Sequence, residues 1–331
     1  MQTDRQQALQ TWAGLALGVP APVLEPASSD ASFRRYFRTS ARERSYILMD
    51  APPPQEDCRP FVRIARLFQQ AGVHVPEVLA ADLERGFLLL SDLGRQTYLD
   101  VLDADNADRL FADAVTALIR CQLASRPGVL PEYDQALLHR ELSLFPDWYI
   151  ARHLGLTLTP SQEELLQQVF RVLEDSALAQ AQVYVHRDFM PRNLMLSEPN
   201  PGLLDFQDAV YGPVTYDAVC LYKDAFLSWP EEQVRDWRRG YWEQARAAGL
   251  PVPGNYTEYE RAFDWMGMQR HLKVIGIFAR ICHRDGKPHY LKDVPRFFTY
   301  LRGVGRLYKE FTPLLKLLDT LEAKQGAIEP A

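Results

Sequence analysis

Regular structure in this sequence is sorted by type along the chain, and that sorting restricts the fold more than any single motif. Val23-Leu24, the stretch Ser32 to Arg38, Tyr46-Ile47-Leu48-Met49, Val78-Leu79-Ala80 and Phe87-Leu88-Leu89-Leu90 read as short strands separated by polar turns, one of them Ser28-Ser29-Asp30. A helical pattern over 4–17, with Leu9, Trp12, Ala13 and Ala16 at helical spacing, precedes them, and another from about Cys58 to Ala71 is inserted among them. Ser91-Asp92-Leu93-Gly94 breaks the last apolar run. Beyond it the spacing predicts helices over 104–125, 134–154, 160–179, 214–227, 230–248, 256–283 and 293–322. Thr159-Pro160-Ser161-Gln162 marks one start with a capping hydroxyl, a first-turn proline and a capping-box glutamine. Strands gathered in one part and helices in another imply an α+β, bilobal protein. The expected lobes are residues 1–90, a five-stranded antiparallel sheet with one inserted helix, and the larger, mainly helical 91–331. A chain of 331 residues is long enough for two cores.

The helical part is interrupted around His186-Arg187-Asp188-Phe189-Met190-Pro191-Arg192-Asn193, followed by Leu203-Leu204-Asp205-Phe206-Gln207. An aspartate, an asparagine five positions on and a second aspartate behind an apolar run form the order used by phosphoryl-transfer enzymes of the protein-kinase type. That chemistry needs a base beside the attacking hydroxyl and hard oxygen donors that hold magnesium against the phosphates of ATP. Asp188 fits the first role; Asn193 and Asp205 fit the second. Val183-Tyr184-Val185, Leu194-Met195-Leu196 and Leu203-Leu204 read as short strands that hold these groups. The competing interpretation is a surface loop with Asp205 capping a helix. Against it stands the further match of Gly212-Pro213 and of Tyr216-Asp217 at the head of an apolar helix. In this frame His186 positions the loop through a hydrogen bond, and Asp217 caps its helix or braces the loop.

Composition removes several other functions. The formal net charge is −6 and no run of like charges is long, so a nucleic-acid partner is not expected. Cys58, Cys121, Cys220 and Cys282 are widely spaced and lack a C-x-x-C pair, as expected of reduced core residues. The polar N-terminus and the lack of a long apolar run point to a cytoplasmic protein with no membrane association, and no segment calls for an obligate protein partner.

The order of these parts resembles the aminoglycoside phosphotransferase and choline kinase group, small-molecule kinases with a protein-kinase-like fold, over roughly residues 25–290. Within that group, Ser32 to Arg38, Met49-Asp50-Ala51-Pro52-Pro53, Leu204 to Ala209 and Gln269 to Val274 are similar to kinases of N-acetylmuramate and N-acetylglucosamine from bacterial cell-wall recycling. The resemblance implies ATP and Mg2+ as cofactors, the anomeric C1 hydroxyl of an amino sugar as acceptor, and Leu90-Ser91-Asp92 as the hinge whose backbone meets adenine. It also exposes two departures. There is no glycine between Gly18 and Gly72, so the turn containing Ser29 and Ser32 must cradle phosphate with hydroxyls and amides. The third strand carries no lysine and the helix after it no glutamate, so Arg34 or Arg35 is the candidate phosphate cation; both also read as surface arginines on an edge strand.

Acceptor choice is approached through charge. Residues 269–293 hold Arg270, Lys273, Arg280, Arg284, Lys287 and Lys292 against Asp285 and Asp293, which disfavours a polycationic acceptor and suits a neutral or anionic one. Lys273 and Arg280 lie seven apart on one helical face and are the candidate grip for the lactyl carboxylate of N-acetylmuramate. Trp229 is a candidate sugar platform, with Asp208 and Asp224 as acceptors for sugar hydroxyls; packing and local pairing are the alternatives. Two other functions stay open from the sequence: a kinase of another small alcohol such as choline, homoserine or an aminoglycoside, and an ATP-binding regulatory pseudokinase.

Overall fold

The computed structural model describes residues 2–29 and 33–328. Its contacts divide the chain into two compact units, residues 1–121 with 191–209, and residues 122–190 with 210–331.

The first unit is built on one antiparallel sheet in the order β1-β2-β3-β5-β4, formed by Glu25–Ser29, Arg35–Ala41, Arg44–Asp50, Val78–Asp82 and Phe87–Ser91 (β1 to β5 in chain order). The inserted helix and four of the expected strands are present, but the first strand is displaced: Val23 and Leu24 lie outside the sheet, and β1 runs over Glu25–Ser29, taking in Ser28 and Ser29 of the expected turn because their backbone pairs with Tyr36 and Arg35 of β2. Helix α1 (Gln2–Leu17) lays Leu9 and Ala13 against Phe37, Leu48, Phe87 and Leu89, a core made by alternate residues of three strands. Helix α2 (Arg59–Gln70) buries Phe61, Val62, Ile64, Ala65 and Phe68 along one side, while its arginines stay outward. Helices α3 (Tyr98–Val101) and most of α4 (Ala107–Leu123) follow. A two-stranded hairpin, β7 (Leu194–Met195) and β8 (Gly202–Leu203), completes the unit.

The second unit centres on α9 (Tyr256–Asp285), a 30-residue helix. Around it pack α5 (Gln135–Leu142), α6 (Pro160–Leu178), α10 (Val294–Gly305) and α11 (Thr312–Ile328), sharing a core with Phe145, Phe170, Leu272, Ile275, Phe297 and Leu318. The ladder of β6 (Gln182–Val185) with β9 (Val210–Pro213), then α7 (Tyr216–Tyr222) and α8 (Glu231–Ala247), supply the remaining elements. Thr159 caps α6 as expected, accepting from the Gln162 N–H while Gln162 returns a bond to the Thr159 N–H.

Two expected helices are each two pieces. The stretch expected at 134–154 stops at Leu142 and resumes as a wide, π-type turn from Phe145 to His153, because Pro146 has no N–H to give the preceding turn. The stretch expected at 293–322 is broken after Gly305, and a new helix starts at Thr312 with Pro313 in its first turn. Cys58, Cys121 and Cys220 are buried, Cys282 is partly exposed, and all four are free thiols.

Candidate active site

Asp188 sits in the second unit, in the loop after β6, and the loop's shape is set by groups that the chain brings from far away. Asp217, 1% exposed in the first turn of α7, accepts from the N–H groups of His186 at 2.6 Å and Arg187 at 3.0 Å. It is therefore a brace for the loop. Burial pushes the Asp217 carboxyl up, and although the two amides and Arg270 pull it back, its pKa settles at about 7. His186 accepts at Nδ1 from the Asp188 N–H at 3.3 Å, which assigns its proton to Nε2. Arg187 holds φ 77°, a left-handed backbone in a residue with a Cβ, and the Met190 N–H closes the turn on the Asp188 carbonyl at 2.9 Å.

The Arg187 side chain leads to a buried carboxylate that the sequence did not signal. Glu141 of α5, 5% exposed, pairs with Arg187, with Lys273 Nζ at 2.9 Å, with the Tyr133 hydroxyl and with Gln269 Nε2 at 3.3 Å. Burial pushes this carboxyl up, but Lys273 and Arg187 outweigh it and hold it at about 2. Lys273 also donates to the Tyr216 hydroxyl at 2.8 Å. The expected Lys273 and Arg280 pair is thus split between two surroundings. Lys273 is buried in the support of the Asp188 loop, whereas Arg280 is half-buried and, among the described residues, has no carboxylate in ion-pair contact. Its buried Nε has no hydrogen-bond partner, and burial together with Arg284 lowers its pKa.

The other proposed sugar contacts in this unit occupy the segment after α7. Asp224 is 1% exposed; its Oδ1 accepts from the Phe226 and Leu227 amides at 2.7 and 2.8 Å, and its Oδ2 is buried with no partner among the described residues. Trp229 meets Trp237 edge to face, with ring centroids 5.3 Å apart.

Asn193 and Asp205 belong to the first unit and stand at one end of the β7–β8 hairpin. Leu194 pairs with Leu203, Met195 with Gly202, and the next bond is Leu204 N–H to Asn193 carbonyl at 2.9 Å, so the two oxygen-donor side chains come from adjacent rungs. Asp205 takes φ 61°, the second left-handed position of the motif, and its Oδ1 accepts from Gln207 at 2.8 Å. Phe206 anchors the turn against α2, with centroids 4.8 Å from Phe61 and 5.8 Å from Phe68. The hairpin is tied down by Leu203 N–H to His74 carbonyl at 2.7 Å and Leu196 N–H to Gln96 carbonyl at 2.8 Å. Gly202 permits that approach, since a Cβ there would meet Leu93 at 2.7 Å and Ser197 at 2.9 Å. A carboxylate and a carboxamide on neighbouring rungs are the hard donors that magnesium accepts beside phosphate oxygens. Asp208 is exposed three residues on.

The nucleotide candidates also lie in this unit. Leu90 is buried in β5, between β3 and β4, Ser91 exchanges two bonds with Glu77, and the Asp92 carboxylate is taken up by Arg38, Ser45 and the Gly94 N–H. Ser29 closes β1, and Ser32 lies outside the described residues. Arg35 pairs with Asp50, a wholly buried carboxylate at the end of β3 that Arg5 of α1 also reaches at 2.6 Å. Arg34 pairs instead with Glu56 at 3.2 Å.

Comparison with known proteins identifies the family and the fold. Residues 23–259 match the model of a phosphotransferase enzyme family, APH. A relative from Pseudomonas putida, named N-acetylmuramate/N-acetylglucosamine kinase, is 62% identical over 92% of this chain and 90% of its own. Another of the same name, from Pseudomonas aeruginosa, is 62% identical over 93% of this chain and 91% of its own. Among solved structures, the choline kinase of Streptococcus pneumoniae superimposes with a TM-score of 0.62 at 13% identity, covering 91% of this chain and 99% of its own. The gentamicin complex of APH(2")-IIa does so with a TM-score of 0.59 at 16% identity, covering 87% and 94%. At such identities the likeness speaks for the fold, a bilobal α+β kinase-like architecture.

Proposed function

Because the chain belongs to the APH family of phosphotransferase enzymes, we propose that it is an ATP-dependent kinase of N-acetylmuramate and N-acetylglucosamine, phosphorylating the anomeric C1 hydroxyl in peptidoglycan recycling. The observation that carries this reading is the 62% identity to two kinases of that name across nine-tenths of their length. The reaction belongs in the cytoplasm, where ATP is supplied.

In this reading Asp188 accepts the proton of the C1 hydroxyl as its oxygen bonds to the γ-phosphorus, and the bond from that phosphorus to the bridging oxygen breaks to release ADP. Asn193 and Asp205 are the residues that would hold Mg2+, which neutralises phosphate charge when bound. Asp217 fixes the loop that carries the base by accepting from the His186 and Arg187 amides, and His186 Nδ1 accepts from the Asp188 amide. Residues 1–90 serve the nucleotide, with the Leu90 to Asp92 backbone meeting adenine, Ser29 and Ser32 near the phosphates, and Arg34 or Arg35 as their cation. Residues 91–331 supply catalysis and acceptor binding. Asp208, Asp224 and Trp229 are the contacts for sugar hydroxyls and the pyranose face, Lys273 supports the base loop, and Arg280 is the grip for the lactyl carboxylate. The lack of an ion-pair partner for Arg280 among the described residues supports that last role.

The test is transfer of label from γ-labelled ATP with magnesium to a panel of N-acetylmuramate, N-acetylglucosamine, choline and kanamycin. Label is expected on the two amino sugars, at C1 by phosphorus NMR; label on choline or kanamycin alone overturns the assignment.

A further inference from the structure

The β3 strand reads Arg44 to Asp50 without a lysine, and α2 contains no glutamate, so the ion pair that positions ATP phosphates in protein kinases has no counterpart at those places. The structure separates the two arginines that could replace it. Arg35 and Asp50 are cross-strand partners, and Asp50, fully buried, is shared between Arg35 and Arg5; that cluster neutralises an interior carboxylate and joins α1 to the sheet. Arg34 lies just ahead of β2 and turns to a different carboxylate, Glu56, in the loop before α2. There its Nε pairs with Glu56 Oε2 at 3.2 Å, while Glu56 Oε1 accepts from the Phe33 N–H at 3.2 Å. A single carboxylate thus holds both the guanidinium and the backbone at the entrance to β2. Burial acts against the Arg34 charge, but Tyr36, Glu56, Asp205 and Asp208 together raise its pKa. Two of those four are the metal-ligand candidate and its neighbour in the same motif.

We propose that Arg34, positioned by Glu56, is the cation that grips the terminal phosphates of ATP beside Asp205. The pair does from the loop before α2 and the entrance to β2 what a strand lysine and a helix glutamate do in protein kinases, and Arg35 is structural. The proposal rests on the kinase reading above. A guanidinium suits the position because it is charged at every working pH and meets phosphate oxygens two at a time. Glu56 is a positioning residue that acts through Arg34.

The experiment measures dissociation constants for ATP with magnesium and for adenosine by calorimetry, alongside KM for ATP and for sugar, in the full-length protein. Arg34→Ala is expected to weaken ATP by about 10- to 100-fold, the worth of one or two charge-assisted hydrogen bonds. Adenosine affinity and KM for sugar stay unchanged, and Arg34→Lys recovers part of the loss. Glu56→Gln weakens ATP less, and adds nothing once Arg34 is Ala. Arg35→Ala registers in the melting temperature, and exposed Arg59→Ala is the neutral control. Equal ATP affinity in wild type and Arg34→Ala, or an ATP-selective loss in Arg35→Ala instead, overturns the proposal. So does an Arg34→Ala loss that extends equally to adenosine, which would mark a general collapse of the unit. Intact ATP binding without transfer to either sugar refutes the acceptor and leaves the clamp standing; a wild type that binds no ATP refutes both.

Discussion

Arg187 and Asp205 both adopt left-handed backbones, at φ 77° and 61°, although neither is glycine. Each such position costs on the order of 1 kcal/mol; Arg187 adjoins the proposed base Asp188, and Asp205 is itself a proposed metal ligand. The strain at Arg187 is held in place by the Asp217 brace and by the pairing with Glu141. Asp188→Asn is expected to lower kcat by about 100- to 10,000-fold with ATP affinity kept, measured in steady state and by calorimetry. Glu141→Gln leaves Lys273 and Arg187 short of a buried counter-charge, and is expected to cost about 3–5 kcal/mol in urea unfolding. Asp217 makes stability depend on pH. Its pKa rises from an ordinary 3.8 to about 7 on folding, so its contribution is full below the lower value and is lost as pH rises through the upper one. The stability gap between wild type and Asp217→Asn is therefore expected to narrow from pH 4.5 to pH 8; a flat gap in urea midpoints rules out the raised pKa. At this scale the sequence singled out Asp188, Asn193 and Asp205 as candidates through their order and spacing, and the structure sets Asn193 and Asp205 on adjacent rungs of one hairpin. It could not disclose Glu141, which sits in an ordinary amphipathic stretch and acquires meaning only from Lys273, far along the chain, or Glu56, a lone acid in a loop.

Elements were legible where periodicity was long and breakers were few. β3, β4, β5, α2 and the long α9 follow their patterns closely, because their apolar spacing matches the faces they bury, whereas β1, Glu25–Ser29, has no apolar alternation and forms through its backbone pairing with β2. The breaks at Pro146 and before Pro313 were missed since the apolar spacing runs on through both, and one lost N–H outweighs it locally. The same region shows how closely elements meet. A Cβ on Gly276 of α9 would lie 2.3 Å from the Leu144 carbonyl carbon, just ahead of the π-type turn. Gly276→Ala is expected to push α9 from that turn and to destabilise by about 1–3 kcal/mol, read as a fall in melting temperature. Because α9 also carries Lys273 and Arg280, the variant should lose activity at temperatures where the fold is still intact.

For the molecule as a whole, an acidic chain buries Arg270 and Lys273, with Arg187 half-buried beside Glu141, and sets these cations against interior carboxylates. Arg280 differs in having no such partner among the described residues, so Arg280→Ala is expected to raise KM for N-acetylmuramate about 10-fold or more while sparing N-acetylglucosamine, which lacks the carboxylate. Equal effects on both sugars would count against it. The Glu141 cluster has one further consequence, for how such a chain can drift over generations. Glu141, Arg187 and Lys273 come from three separate stretches, and changing any one strands the charge of the others. Lineages that depart from this trio must pass through a poorly folding ancestor or alter the positions nearly together. Positions 141, 187 and 273 should therefore be inherited as a block, keeping their charges or exchanging them in concert.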